Sequence, residues 1–133
     1  MIRRIETAAA PRPIGPYAQA MVAPASELVF TAGMVGNDPE SGQLKPGGIE
    51  PETEQALNNL EHVLAAAGCT FQDVAKTTVF LLDLGDFAAM NAIYARRLGG
   101  HTPARSTVAV KALPIGARVE IDMLAVRTVA GPR

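Results

Sequence analysis

Tryptophan is absent, cysteine occurs once, and only 5% of the residues are aromatic. Each shortage closes off a class of function. A lone thiol, Cys69, makes no internal disulfide and fits a reducing compartment. Two histidines and that one cysteine supply no plausible ligand set for structural zinc. So few aromatic rings make a poor platform for stacking nucleic-acid bases. An excess of charge is also missing. The 12 basic and 13 acidic residues leave a net charge of −1, and no Lys/Arg run appears, so binding along a phosphate backbone has no electrostatic footprint. No apolar run is long enough to span a bilayer. The N-terminal "MIRRIETAAAPRP" lacks the apolar stretch of a signal peptide. The expectation is a soluble, cytoplasmic protein with neither a nucleic-acid nor a membrane partner.

What is present suits one compact domain over residues 1–133, because 48% of the chain is apolar and a core is easily filled. "MIRRIE" reads as a short strand, and "APRPIGPYAQA" as a Pro/Gly-rich loop that delivers Tyr17 in a fixed conformation. "YAQAMVA" and "ELVFTAG" read as strands, and "PASE" between them suggests a hairpin. "PETEQALNNLEHVLAAAG" is the clearest element. Pro51 suits the first helical position, and Glu52 and Glu54 suit the positive end of the dipole. Leu57, Leu60, Leu64 and Ala67 make one apolar stripe, and Gly68 is a good terminator. A strand is centred on Thr77 to Leu82. A second helix follows, capped by Asp83 or Asp86, with Phe87, Met90, Tyr94 and Leu98 as its stripe and Gly99 as its stop. "PARSTVAVKA" and "RVEIDMLAV" are two final strands around "LPIG". The order predicts an α+β layered domain, two helices on one face of a single mixed sheet. Val79, Leu81, Val108, Val110, Ile121 and Met123 are more apolar positions than one half-wet sheet needs, so the second face is expected to pack against other subunits.

Charges inside the last two strands raise the question of function. With "LPIG" as a hairpin loop, Arg105 faces the neighbourhood of Leu124, about four residues and roughly 13 Å along the strand from Glu120. A cross-strand ion pair within one chain is therefore disfavoured. Either each charge is solvated separately, or the two approach one site from different subunits. Arg118, Glu120 and Asp122 also read plainly as a polar outward face. Tyr17 either pins its loop to the core through a bonded hydroxyl or aims a phenol into a pocket. Asn91, in the apolar run "FAAMNAIY", suits a buried hydrogen bond as well as a substrate contact. His62 and His101 read as solvated, and Cys69 as structural. No nucleophile-elbow, Walker or dinucleotide fingerprint is present.

The segments "IGPYAQA", "FTAGMVGNDPESGQL", "TEQALNNLEHVLAAAG", "VAKTTVFLLDLGDFAAMNAIYARRLG" and "PARSTVAVKALPIGARVEIDMLA" together resemble the RidA (YjgF) family of reactive-intermediate deaminases, from about Ile14 to Ala125. The resemblance implies a chorismate-mutase-like fold, a homotrimer with three inter-subunit clefts, and no cofactor. It implies hydrolysis of 2-imino and enamine acids, such as 2-aminoacrylate and 2-iminobutyrate, to 2-keto acids and ammonia. On this reading Arg105 binds the substrate carboxylate as a planar fork, Glu120 activates water, and Tyr17 bonds near the reacting nitrogen or water. Gly33 and Thr107 line the pocket through backbone groups, and Asn91 supports it. The chain departs from the family where "AGMVG" (Ala32, Met34 and Gly36 included) replaces a Ser-Gly-Gln-Ile-Pro stretch, and where Thr107 replaces a cysteine. Arg and Glu are retained, so the reaction class is expected and the preferred substrate is left open. Two other readings stand beside it. One is a pathway-specific deaminase of an aminoacrylate or aminomuconate-type intermediate. The other is a non-catalytic trimeric keto-acid-binding protein.

Overall fold

The computed structural model describes residues 2–24 and 27–127. Its longer helix, α1 (Ile49–Ala66), buries Leu57, Leu60 and Leu64 completely, which is the stripe read from the sequence. The helix starts two residues before Pro51, with Gly48 at φ 92° as its boundary. That earlier start moves Glu52 inward. Its Oε1 accepts a 2.8 Å hydrogen bond from the Arg118 backbone N–H. Gly36 lies against it so closely that a Cβ there would come 2.4 Å from the Glu52 carbonyl oxygen. Gly68 ends the helix at φ 79°, a conformation that costs glycine little. The second helix, α2 (Phe87–Arg97), buries Met90 and Tyr94. Asp83 caps the short 3-10 turn before it by accepting from Gly85 N–H at 2.8 Å. Glu54 ties the helices together by pairing with Arg96 and Arg97.

Four strands form the main sheet: β3 (Glu27–Phe30), β4 (Val74–Leu81), β5 (Ala104–Ala109) and β6 (Val119–Arg127), in the order β3-β6-β4-β5. β5 runs parallel to β4, and β6 runs antiparallel to both β4 and β3, so the sheet is mixed and the fold is α+β as expected. The N-terminal strands β1 (Arg3–Ile5) and β2 (Ala20–Val22) form a separate two-stranded ribbon. A bridge from Ala18 to Ala104 fastens that ribbon to the β5 edge.

Two expected hairpins do not form. β2 pairs with β1, and β3 pairs with β6, so "PASE" (in which Ala25 and Ser26 lie outside the described residues) joins strands of different sheets. "LPIG" does not fold β6 back onto β5 either, because β4 lies between them. The reason is burial. β4 and β6 are the longest strands, and along one face they bury Thr77, Val79, Leu81, Val119, Ile121, Met123 and Ala125. They take the centre, and six-residue β5 takes an edge. The connecting loop crosses over β4 through a 3-10 turn, with Ile115 at φ 53° and Gly116 at φ 74°.

Register decides the two faces. The rows Arg105–Thr77–Met123 and Val108–Phe80–Glu120 run across β5, β4 and β6. They are three residues apart, and an odd offset puts them on opposite faces. The first row belongs to the helix-covered face. The second row lies on a face that neither helix covers, where Phe30 is 70% exposed and Leu28 and Val108 are also exposed. Of the residues expected to cover a second face, Val79, Leu81, Ile121 and Met123 are buried in the core beneath the helices. Val108 lies on the open face, and the main apolar residues there are Leu28, Phe30 and Phe80.

Candidate active site

Arg105 is the second residue of β5, and its strand position directs it under α2. The guanidinium is buried. Its Cζ lies 4.9 Å from the Tyr94 ring centroid, 5.5 Å from Tyr17 and 5.7 Å from Phe87. Phe87 and Tyr94 come from one face of α2, two turns apart. Tyr17 comes from the Pro/Gly loop, whose "GP" holds it by two bonds: Tyr17 N–H donates to the Gly15 carbonyl at 2.8 Å, and Ile14 N–H donates to the Tyr17 hydroxyl at 3.3 Å. The hydroxyl thus closes the loop on itself rather than pinning it to the core, and the ring lines the cavity beside Arg105. Gly15 completes the wall. A Cβ there would stand 3.5 Å from Arg105 Nη2 and 3.6 Å from both Asn91 Nδ2 and the Tyr17 ring.

A cavity of about 200 Å³ opens here, lined by Ile14, Tyr17, Phe87, Arg105 and Thr107. Among the described residues, five buried side-chain polar atoms make no hydrogen bond. Four belong to this neighbourhood: Arg105 Nη1, Arg105 Nη2, Thr107 Oγ1 and Asn91 Oδ1. Buried donors without partners are rare in folded proteins, and they mark a place where another molecule completes the set. No carboxylate pairs with Arg105 among the described residues. Burial holds its pKa below the ordinary arginine value, against the opposing pull of Tyr94 and Tyr17. A planar fork with free donors on an apolar-walled cavity suits a small carboxylate.

Glu120 does not join this cavity. It lies on the opposite face of the sheet, beside Gly33, where the chain leaves β3 and runs on along β6 through Met34. Gly33 leaves the space that carboxylate occupies, because a Cβ there would fall 2.5 Å from Glu120 Oε2 and the side chain would have to move. The six candidate residues therefore divide. Tyr17, Arg105 and Thr107 line the cavity, Asn91 stands beside it at Gly15, and Gly33 and Glu120 gather on the open face. The conclusion that Arg105 and Glu120 of one chain do not pair stands, although its hairpin premise fails. The sheet itself separates them.

Phe87, Tyr94 and Ile14 escaped the sequence reading of the site. The first two belong to an apolar helix stripe, and a stripe residue looks the same whether it faces leucine or arginine. The scarcity of aromatics was the available signal, since three of only six Phe and Tyr side chains converge on one guanidinium. His101, expected in solvent, bonds the Val74 carbonyl at 2.7 Å through Nε2. Cys69 is buried, and burial foremost raises its thiol pKa, in keeping with a structural role. Among the described residues, no three His, Cys, Asp or Glu side chains cluster closely enough to hold a metal ion, and no helix is long and apolar enough to cross a membrane.

Known proteins share this architecture. The family described as Endoribonuclease L-PSP matches residues 7–127. The mouse protein named 2-iminobutanoate/2-iminopropanoate deaminase is 50% identical over 92% of this chain and 90% of its own length. The human protein of the same name is 46% identical over 96% and 92%. Among solved structures, RidA from the Antarctic bacterium Psychrobacter sp. superposes with a TM-score of 0.74 at 37% identity, covering 94% of this chain and 99% of that one. TdcF from E. coli, solved with bound serine, gives 0.72 at 36% identity over 95% and 99%.

Proposed function

This chain belongs to the Endoribonuclease L-PSP family, the RidA (YjgF) proteins, and we propose that it hydrolyses 2-imino and enamine acids of the 2-aminoacrylate and 2-iminobutyrate type to 2-keto acids and ammonia. One observation carries the proposal. Arg105 holds two bare, buried donors against a cavity that fits a small carboxylate. The relatives named as deaminases of 2-imino acids support it, and a structural relative binds serine, itself an α-carboxylate. RNA cleavage, which the family description names, finds no support in a net charge of −1.

The chemistry follows from the two groups. Arg105 grips the carboxylate through parallel hydrogen bonds and so orients the adjacent C=N. Glu120 of the partner subunit holds a water and takes its proton as the oxygen attacks the imine carbon. The resulting carbon bears OH and NH₂. The proton held by Glu120 passes to nitrogen, the C–N bond breaks, and ammonia leaves as the hydroxyl gives its proton back to Glu120 and the C=O forms; an enamine acid enters the same route after it takes a proton from water on Cβ and becomes the imine. Tyr17 has its hydroxyl oxygen occupied by Ile14 N–H, so it donates its own proton toward the reacting nitrogen or water. Asn91 and Thr107 offer polar atoms to the same pocket, and Gly33 leaves room for the carboxylate. The single domain assembles as a homotrimer. Because Arg105 and Glu120 occupy opposite faces, a closed ring brings the open face of each subunit to the cavity of the next.

Two measurements test this. 2-Iminobutyrate generated in situ by a threonine dehydratase should yield 2-ketobutyrate faster with the protein present, and no acceleration would remove the deaminase reading. Arg105→Ala and Glu120→Gln should each be inactive alone. Unfolding and refolding them together at equal amounts should restore about a quarter of the parent activity, the share of clefts that receive both intact groups in a randomly assembled ring. Recovery no greater than either variant alone would overturn the shared cleft.

A further inference from the structure

A buried arginine is usually held by a carboxylate, which pays its desolvation cost but occupies its donors. Arg105 is held differently. Tyr94, fully buried on α2, lies under the guanidinium at 4.9 Å from ring centroid to Cζ, the shortest of three ring contacts. Its hydroxyl is 2.8 Å from Thr77 Oγ1 in a buried hydrogen bond. Thr77 is the cross-strand partner of Arg105 in the parallel β4–β5 ladder. The ring that supports the clamp is therefore latched to the residue beside the clamp, on the neighbouring strand. Neither latch atom reaches the cavity lining.

We infer that Tyr94 is a positioning residue for substrate carboxylate binding: its ring carries the buried Arg105 charge without occupying an N–H donor, and the Thr77 hydroxyl anchors the outer end of that ring beneath the guanidinium. The inference rests on the deaminase reading and names how its clamp is aimed. Three features converge on it. An aromatic face attracts a cation over its surface and leaves the in-plane donors free, which matches the unbonded Nη1 and Nη2. The ring cannot tilt without breaking the Thr77 bond inside a dry core, where an unpaired hydroxyl is costly. Thr77 is also the one fully buried polar residue on β4, so the latch is the place where the strand departs from an otherwise apolar inward row.

A positioning role predicts a split between KM and kcat. Thr77→Val keeps the volume and removes the latch. Tyr94→Phe keeps the ring and removes the same bond from the other side. Both should raise KM for 2-iminobutyrate, and the inhibition constant of 2-ketobutyrate, by about three- to tenfold, the size of one hydrogen bond's loss. kcat at saturation should change by less than twofold. Tyr94→Leu, which removes the ring as well, should raise both constants by a further factor of about ten, and Thr77→Ser should restore parental values. The melting temperature falls under either role, because one buried hydroxyl loses its partner; a purely structural role predicts a different kinetic pattern, a smaller active fraction seen as lower apparent kcat at unchanged KM. That pattern in Thr77→Val and Tyr94→Phe, or parental KM in Tyr94→Leu, overturns the inference. The two readings fail separately, because an inactive parent protein rejects the deaminase proposal, whereas an active parent with latch-insensitive KM rejects only this one.

Discussion

Replacing Arg105 by methionine should leave the fold intact and remove the activity. The structure supplies both halves of the estimate. Arg105 is only 9% exposed, and Nη1 and Nη2 bond nothing among the described residues. Each buried donor without a partner costs about 1–3 kcal/mol. Three ring contacts offset this, at about 0.5–2 kcal/mol each. Two costs against three gains nearly cancel. Methionine removes both and sets a flexible apolar chain of similar length against the same rings. The expected change in stability is within about 2 kcal/mol and can be favourable. Function loses much more. Two charge-assisted hydrogen bonds to a carboxylate are worth about 3–6 kcal/mol, so kcat/KM should fall by about 10²- to 10⁴-fold. The sign with pH is also set. Burial lowers the folded-state pKa of Arg105, so the folded state disfavours the charged form at every pH below that value. Arginine stays protonated throughout the neutral range, so the stability gap between variant and parent should be flat across it. Thermal melts and the coupled keto-acid assay make the comparison. A melting temperature lower by more than about 10 °C would mean that the charge holds the fold together. A kcat/KM within threefold of the parent would mean that no carboxylate is gripped there.

Other positions give separate tests. Gly33→Ala inserts a Cβ 2.5 Å from Glu120 Oε2; the displaced carboxylate should cost about a hundredfold in kcat at unchanged Arg105-dependent keto-acid binding, read by inhibition kinetics. Phe30→Lys places a charge in the exposed apolar patch of the open face and should yield monomers by light scattering, with activity lost alongside. Glu54→Gln loses its pairs with Arg97 and Arg96. Partial burial acts first to raise the Glu54 pKa, but those arginines outweigh it and leave the value lowered. A lowered carboxylate stabilises above its unfolded pKa and loses that contribution as pH falls through the folded one. The variant should therefore be less stable by about 0.5 kcal/mol at neutral pH, as suits a half-exposed pair, and the gap should close in acid melts.

Much of the fold was legible because its cause is local. The spacing of Leu57, Leu60 and Leu64 places α1, and Phe87, Met90 and Tyr94 place α2, since a 3.6-residue repeat is a property of neighbouring residues. The strands were found for the same reason. Their neighbours were not. Alternation says that β5 and β6 are strands, but it does not say that β4 lies between them, and the expected "LPIG" hairpin failed on that point. The site was legible in part. Arg105, Glu120, Tyr17, Gly33, Asn91 and Thr107 stand out by residue type and by resemblance. Phe87 and Tyr94 do not, because an apolar stripe has the same periodicity over a leucine as over a guanidinium.

The sequence alone determined where the helices and the main strands form and that the helices share one face of a mixed sheet. Tertiary structure decided that Arg105 and Glu120 of one chain do not pair. The β3-β6-β4-β5 order sets Arg105 in register with Thr77 and Glu120 with Phe80, three residues apart. Strand periodicity is two, so that odd offset sends one charge under the helices and the other to the open face. No pattern along the chain carries this, because a register is a relation between segments that meet only once the core has formed.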